Sequence, residues 1–138
     1  MRKLLGTIAG IVIGMAVVMA VEMLGHAVYP PAAGIDLTTP EALARYVAAM
    51  PVGALLFVVA GWFLGALAGG FVAATLGRWG AAAWVIAALI AIAGIYNATQ
   101  IPAPLWMNIA TVLAPALGGL AAHVLAKRRR AAVRPSLN

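Results

Sequence analysis

The sequence predicts an all-α membrane protein, a four-transmembrane-helix bundle with one short helix outside it. Three observations carry that expectation. Of 138 residues, 65% are hydrophobic and only 9% charged, whereas soluble domains carry about a quarter charged residues. Four apolar runs, at about 4–28, 52–77, 81–99 and 104–126, reach the roughly 17–25 residues that a transmembrane helix needs. Finally, of nine Lys and Arg, all but Arg45 fall at Arg2–Lys3, at Arg78 or between Lys127 and Arg134. Because Lys and Arg in short flanking loops stay in the cytoplasm, this spacing predicts an inner-membrane protein with both termini cytoplasmic.

The first span begins after Arg2 and Lys3 and ends at Tyr29-Pro30-Pro31, where two prolines stop a helix and force an extended exit. Its apolar stretch, Leu4–Val21, exceeds the roughly 7–15 residues of a signal peptide's apolar core, so the helix is expected to remain. The only sizeable loop, 30–50, holds Asp36, Glu41 and Arg45 and by the charge rule faces the periplasm. Within it Thr38-Thr39-Pro40-Glu41 marks a helix start. Either threonine can cap, Pro40 is tolerated in the first turn, and Glu41 can close a capping box from Thr38. The resulting interfacial helix, about 40–49, would pair Glu41 with Arg45 at i,i+4 and turn Leu43, Tyr46 and Val47 to the membrane.

Span two follows from Val52, and Arg78-Trp79-Gly80 is short enough to make spans two and three antiparallel neighbours. Gln100-Ile101-Pro102-Ala103-Pro104 joins spans three and four. The transmembrane domain, 1–126, is then followed by a basic cytoplasmic tail, 127–138, expected to be disordered.

Small residues recur every four positions. Gly6, Gly10 and Gly14 mark span one; Gly61, Gly65, Gly69, Ala73 and Gly77 mark span two; Ala110, Ala114, Gly118, Ala122 and Ala126 mark span four. Such spacing lets helix backbones approach closely in lipid, where packing rather than water expulsion drives association. Most of these positions lie in the cytoplasmic halves of their spans, so the bundle is expected to be pinched there and open at the other end. The same stripes would also serve contacts in a homo-oligomer or a larger membrane complex.

Polar residues gather in the opposite halves. Glu22, His26 and Tyr29 share one stripe of span one, Asn97 and Gln100 a face of span three, and Asn108 and Thr111 a face of span four. Together they predict a polar pocket open to the periplasm. Glu22 is the only acid within an apolar span, where a charge costs from about 2.5 kcal/mol upward on insertion scales. It is therefore the leading candidate for ligand or proton binding, with His26 as its partner; the alternative is a structural clasp to Asn97 or Asn108.

Other chemistries are poorly provided for. There is no cysteine, and the only serine is Ser136, which removes thiol chemistry and a serine triad. Glu22 and His26 supply two metal ligands, with Asp36 as a distant third, whereas catalytic zinc typically takes three; no metal or other cofactor is expected. His123 belongs to the opposite end, as an interface residue. The Asn97-Ala98-Thr99 sequon reads as a chance match. Basic residues crowded at span ends suit anionic lipid and lack the aromatic-interleaved face of a nucleic-acid binder. The expected function is binding or translocation of a small solute, lipid or proton by an oligomer. An accessory subunit of a larger complex and a small lipid-modifying enzyme using Glu22 are the alternatives.

Overall fold

In hydrocarbon every backbone N–H and C=O must find its partner within the chain, which commits long apolar runs to helix. The computed structural model describes residues 1–31, 34 and 38–133, and among these it is all helical. The helices are α1 (Arg2–Val28), α2 (Pro40–Ala49), α3 (Val52–Leu76), α4 (Ala82–Gln100) and α5 (Leu105–Val133). All but α2 are long and apolar enough to cross a membrane. The shortest, α4, has 19 residues and spans about 29 Å at 1.5 Å per residue, close to the ~30 Å of a bilayer core. Asp36, Arg134 and Ser136 lie outside the described residues.

Helix α3 is the centre of the bundle. It packs on α1, α5 and α4; α4 also packs on α5, whereas α1 touches α4 only sparsely. The small-residue stripes account for the two largest contacts. A Cβ added at Gly10 would lie 2.5 Å from the Gly69 carbonyl oxygen and 2.6 Å from the Ala73 Cβ, and one at Gly69 would lie 2.5 Å from the Gly10 oxygen. Gly6 abuts Gly77 in the same way, and Gly118 of α5 sits on the Phe63 carbonyl. Beside these contacts Ala74, Ala83, Ala122 and Ala126 form a fully buried cluster. The glycine faces are thus used up within the chain.

The start of α1, the end of α5 and the α3–α4 turn lie at this tight end. Lys3 Nζ stands 5.7 Å from the Trp79 ring centroid. Arg78, at φ 51°, breaks α3 in the left-handed conformation that usually calls for glycine after a helix. Its N–H bonds Thr75 instead of Ala74, whose carbonyl is capped by Arg130 Nη2 at 2.7 Å.

Two expectations need correction. The segment Lys127–Val133 is helical, not a disordered tail: Arg130 is held by Ala74 and Arg129 by the Phe71 ring, 5.8 Å away, and basic residues suit a helix C-terminus. His123, at the same end, has a half-buried ring that bonds Gly80 O through Nδ1 at 3.1 Å and ties α5 to the turn. At α2, of the two threonines expected to cap, Thr39 does so, its Oγ1 accepting from Ala42 N at 3.2 Å, but the Glu41–Arg45 pair is the second correction. Arg45 Nε reaches the Glu41 carbonyl at 3.3 Å, so the expected side-chain pair does not form.

The end remote from the α3–α4 turn is only partly open. Tyr29 packs edge-on against Phe57, with centroids 6.2 Å apart, and its hydroxyl lies over Gly53. A Cβ on Gly25 would meet the Phe57 Cβ at 2.8 Å. Helices α1 and α3 therefore stay together along their whole length, contrary to the expected general splay. The separation is confined to the side where α1 faces α4 and α5.

Candidate polar cleft in the transmembrane bundle

All five helices contribute to a cleft of about 200 Å³ at the end remote from the α3–α4 turn. Its floor is apolar and buried: Leu55 and Trp62 from α3, Gly94 from α4 and Thr111 from α5. Val47 and Met50, from α2 and its C-cap, close one side. Glu22, His26 and Tyr29 of α1, Asn97 of α4 and Asn108 of α5 supply the polar wall and rim. Five of the six residues singled out by sequence thus meet at one cavity. Gln100 does not: it ends α4, is exposed, and donates through Nε2 to Thr99 Oγ1 at 3.0 Å. The chain leaves the helix there with extended backbone, and Ile101 faces the cleft in its place.

Glu22 lies six residues before the end of α1, about 9 Å below it at 1.5 Å per residue. The residue is half-buried. Among the described residues no hydrogen bond or ion pair of the chain reaches its carboxylate, and no buried side-chain oxygen goes without a partner. The carboxylate oxygens are therefore accessible rather than sealed in the bundle. The clasp to Asn97 or Asn108 does not form: Asn108 Nδ2 reaches instead towards Ala103 O at 3.5 Å. Nor do Glu22 and His26 bond side chain to side chain. The imidazole Nδ1 meets the backbone oxygen of Glu22 at 2.8 Å.

A carbonyl can only accept, so Nδ1 carries a proton, and Nε2 is an acceptor only while the ring is neutral. Thr111 Oγ1 donates within its own helix to Met107 O at 3.0 Å. Pro115, inside α5, has no N–H to offer the Thr111 carbonyl four residues earlier. No Lys or Arg lines the cleft, and no three metal-ligating side chains converge among the described residues. The site is consequently acidic and rich in hydrogen-bond acceptors.

A second cavity, about 360 Å³, opens along the gap between α1 and α4. It shares Glu22, Trp62, Gly94 and Asn97 with the cleft, and its other walls are mainly apolar. Sequence reading missed this groove and the aromatic floor. Trp62, at 8% exposure, carried a usable signal as the only tryptophan deep within a span, but the sparse contact between α1 and α4 had none. Comparison with protein families, with curated proteins and with solved structures yields no match.

Proposed function

We propose that the chain is a small integral protein of the inner membrane, with both termini cytoplasmic, that binds or passes a small solute, lipid or proton through the cleft at Glu22. The observation that carries this reading is the convergence of Glu22, His26, Tyr29, Asn97 and Asn108, from three spans, on one cavity with an unpaired carboxylate. The gathering of Arg2, Lys3, Arg78 and Lys127–Arg130 at the other end favours placing that end in the cytoplasm, with α2 and the cleft mouth at the periplasmic face. Four spans are few for a complete transport path, so translocation would involve an oligomer. The accessory-subunit alternative loses support, since the glycine faces it would use are occupied within the chain.

The absence of cysteine makes labelling a clean test. With an impermeant maleimide, Ala48→Cys is expected to react from outside intact cells and Ala131→Cys only after lysis. Asn97→Cys should react from outside with small water-soluble thiol reagents. In proteoliposomes loaded with a pH dye, Glu22→Gln is expected to abolish any proton uptake, and His26→Ala to reduce it. An unreactive thiol in the Asn97→Cys variant, together with wild-type behaviour of Glu22→Gln and His26→Ala in proton uptake and in binding of short alkylammonium ions, would overturn the proposal.

A further inference from the structure

Resting on that binding role, we infer that the ligand is an ammonium-bearing amphiphile drawn sideways from the bilayer between α1 and α4, its head at Glu22 and its chain in the apolar groove. The head group follows from charge and hydrogen bonding. Glu22 contributes the only carboxylate to either cavity, and no Lys or Arg lines them. Of the donors beside it, His26 Nδ1 is spent on Glu22 O and Thr111 Oγ1 on Met107 O, and Asn108 Nδ2 reaches towards Ala103 O, while the Asn97 amide, the Trp62 indole N–H and the Tyr29 hydroxyl carry no hydrogen bond to the chain among the described residues. The acceptors left for a ligand are the carboxylate, Asn108 Oδ1 and, while the ring is neutral, His26 Nε2, and only the carboxylate among them carries a charge. A primary ammonium matches these with three N–H groups and a charge. A trimethylammonium has the charge without the donors, and an anion has neither.

The chain follows from the shared wall. Ile11, Met15, Val18, Leu89, Ile90 and Ala93 line the groove that meets the cleft at Glu22 and Trp62. From Ile11 to Glu22 it runs eleven residues along α1, about 16 Å. A water-soluble cation would need only the cleft, whereas a head and a chain together fill both cavities. A second copy of this chain does not suit the same place: its Lys and Arg sit at the ends of the spans and at Arg45, and none could be set at the depth of Glu22.

Trp62 provides the readout, because it is buried from bulk lipid yet lines both cavities. With Trp79, Trp84 and Trp106 replaced by Phe and the protein in phosphatidylcholine nanodiscs, dodecylammonium brominated in mid-chain should quench Trp62 saturably. The trimethylammonium and carboxylate analogues should require at least about tenfold more, and Glu22→Gln should cost the ammonium compound about tenfold or more, as befits a charge-assisted hydrogen bond. Ala93→Phe, at an exposed groove position, should abolish quenching while leaving Glu22-dependent propylammonium binding, read from the Trp62 indole NMR signal, unchanged. Equal quenching by all three head groups, or indifference to Glu22→Gln, overturns the inference. Propylammonium binding without saturable quenching removes the lateral groove and leaves the cleft reading standing; failure of both probes removes both.

Discussion

Replacing Gly69 and Gly61 with alanine, one at a time, tests the packing with a matched pair. Both lie in the same stripe of α3, two turns apart, and each substitution brings the same helix-propensity gain of about 0.5–1 kcal/mol. Their surroundings differ. A Cβ at Gly69 would stand 2.5 Å from Gly10 O, 2.9 Å from Gly14 Cα and 3.1 Å from Gly14 N. All three are backbone atoms that no rotamer change can move, so α1 must retreat by about 1 Å to restore ordinary contact near 3.5 Å. At Gly61 the nearest atoms are Val18 O at 3.6 Å and Val21 Cβ at 3.7 Å, and the methyl fits. Overpacking costs about 1–3 kcal/mol. The propensity gain is common to both and cancels in the comparison, so Gly69→Ala should be the less stable of the two by about 1–3 kcal/mol, with Gly61→Ala neutral or stabilising. Reversible unfolding in mixed micelles, followed by tryptophan fluorescence, measures both. Because Gly10 and Gly69 share one gap, Gly10→Ala/Gly69→Ala should cost less than the sum of the single changes. Equal transition midpoints for Gly61→Ala and Gly69→Ala would refute the described α1–α3 contact.

Two further stability changes follow at the tight end. Arg78→Gly should stabilise by about 1 kcal/mol, since glycine adopts the left-handed conformation without the side-chain penalty; the same unfolding assay would show an upward shift of the midpoint, and a downward shift would mean that the Arg78 side chain outweighs its backbone strain. His123→Ala should cost about 0.5–1.5 kcal/mol by removing the bond to Gly80 O, and an unchanged midpoint would count against that link between α5 and the α3–α4 turn.

Much of this architecture was legible because lipid allows so few solutions. Run length located the four spanning helices to within a few residues except at the end of α5, which continues to Val133 rather than stopping at 126; Thr39 and Pro40 marked the start of α2, and the four-residue spacing of Gly6, Gly10 and Gly14 picked out the face that meets α3. The depth of Glu22, Asn97 and Asn108 along their spans foretold which polar groups would share a cavity. Gln100 misled because sharing a helical face with Asn97 says nothing about where the helix ends. The expected pairing of Glu22 with His26 missed an intrahelical alternative, in which an imidazole four residues on reaches the backbone oxygen. The groove was illegible since it is an absence of packing between α1 and α4, and spacing within one helix cannot report a gap between two.

Helix α1 leans mainly on α3 and touches α4 only sparsely, whereas α3, α4 and α5 brace one another in a triangle. Releasing α1 would break the most extensive helix–helix contact of the bundle yet leave the contacts of the triangle intact. Glu22, His26 and Tyr29 would leave with it, and Asn97, Asn108 and Thr111 would remain behind. On the proposed binding role, occupancy of the acidic wall and docking of the first helix would be reciprocally linked: a guest bridging α1 and α4 would fasten the arm in place, and mutations that loosen the arm would weaken the guest's hold from a distance.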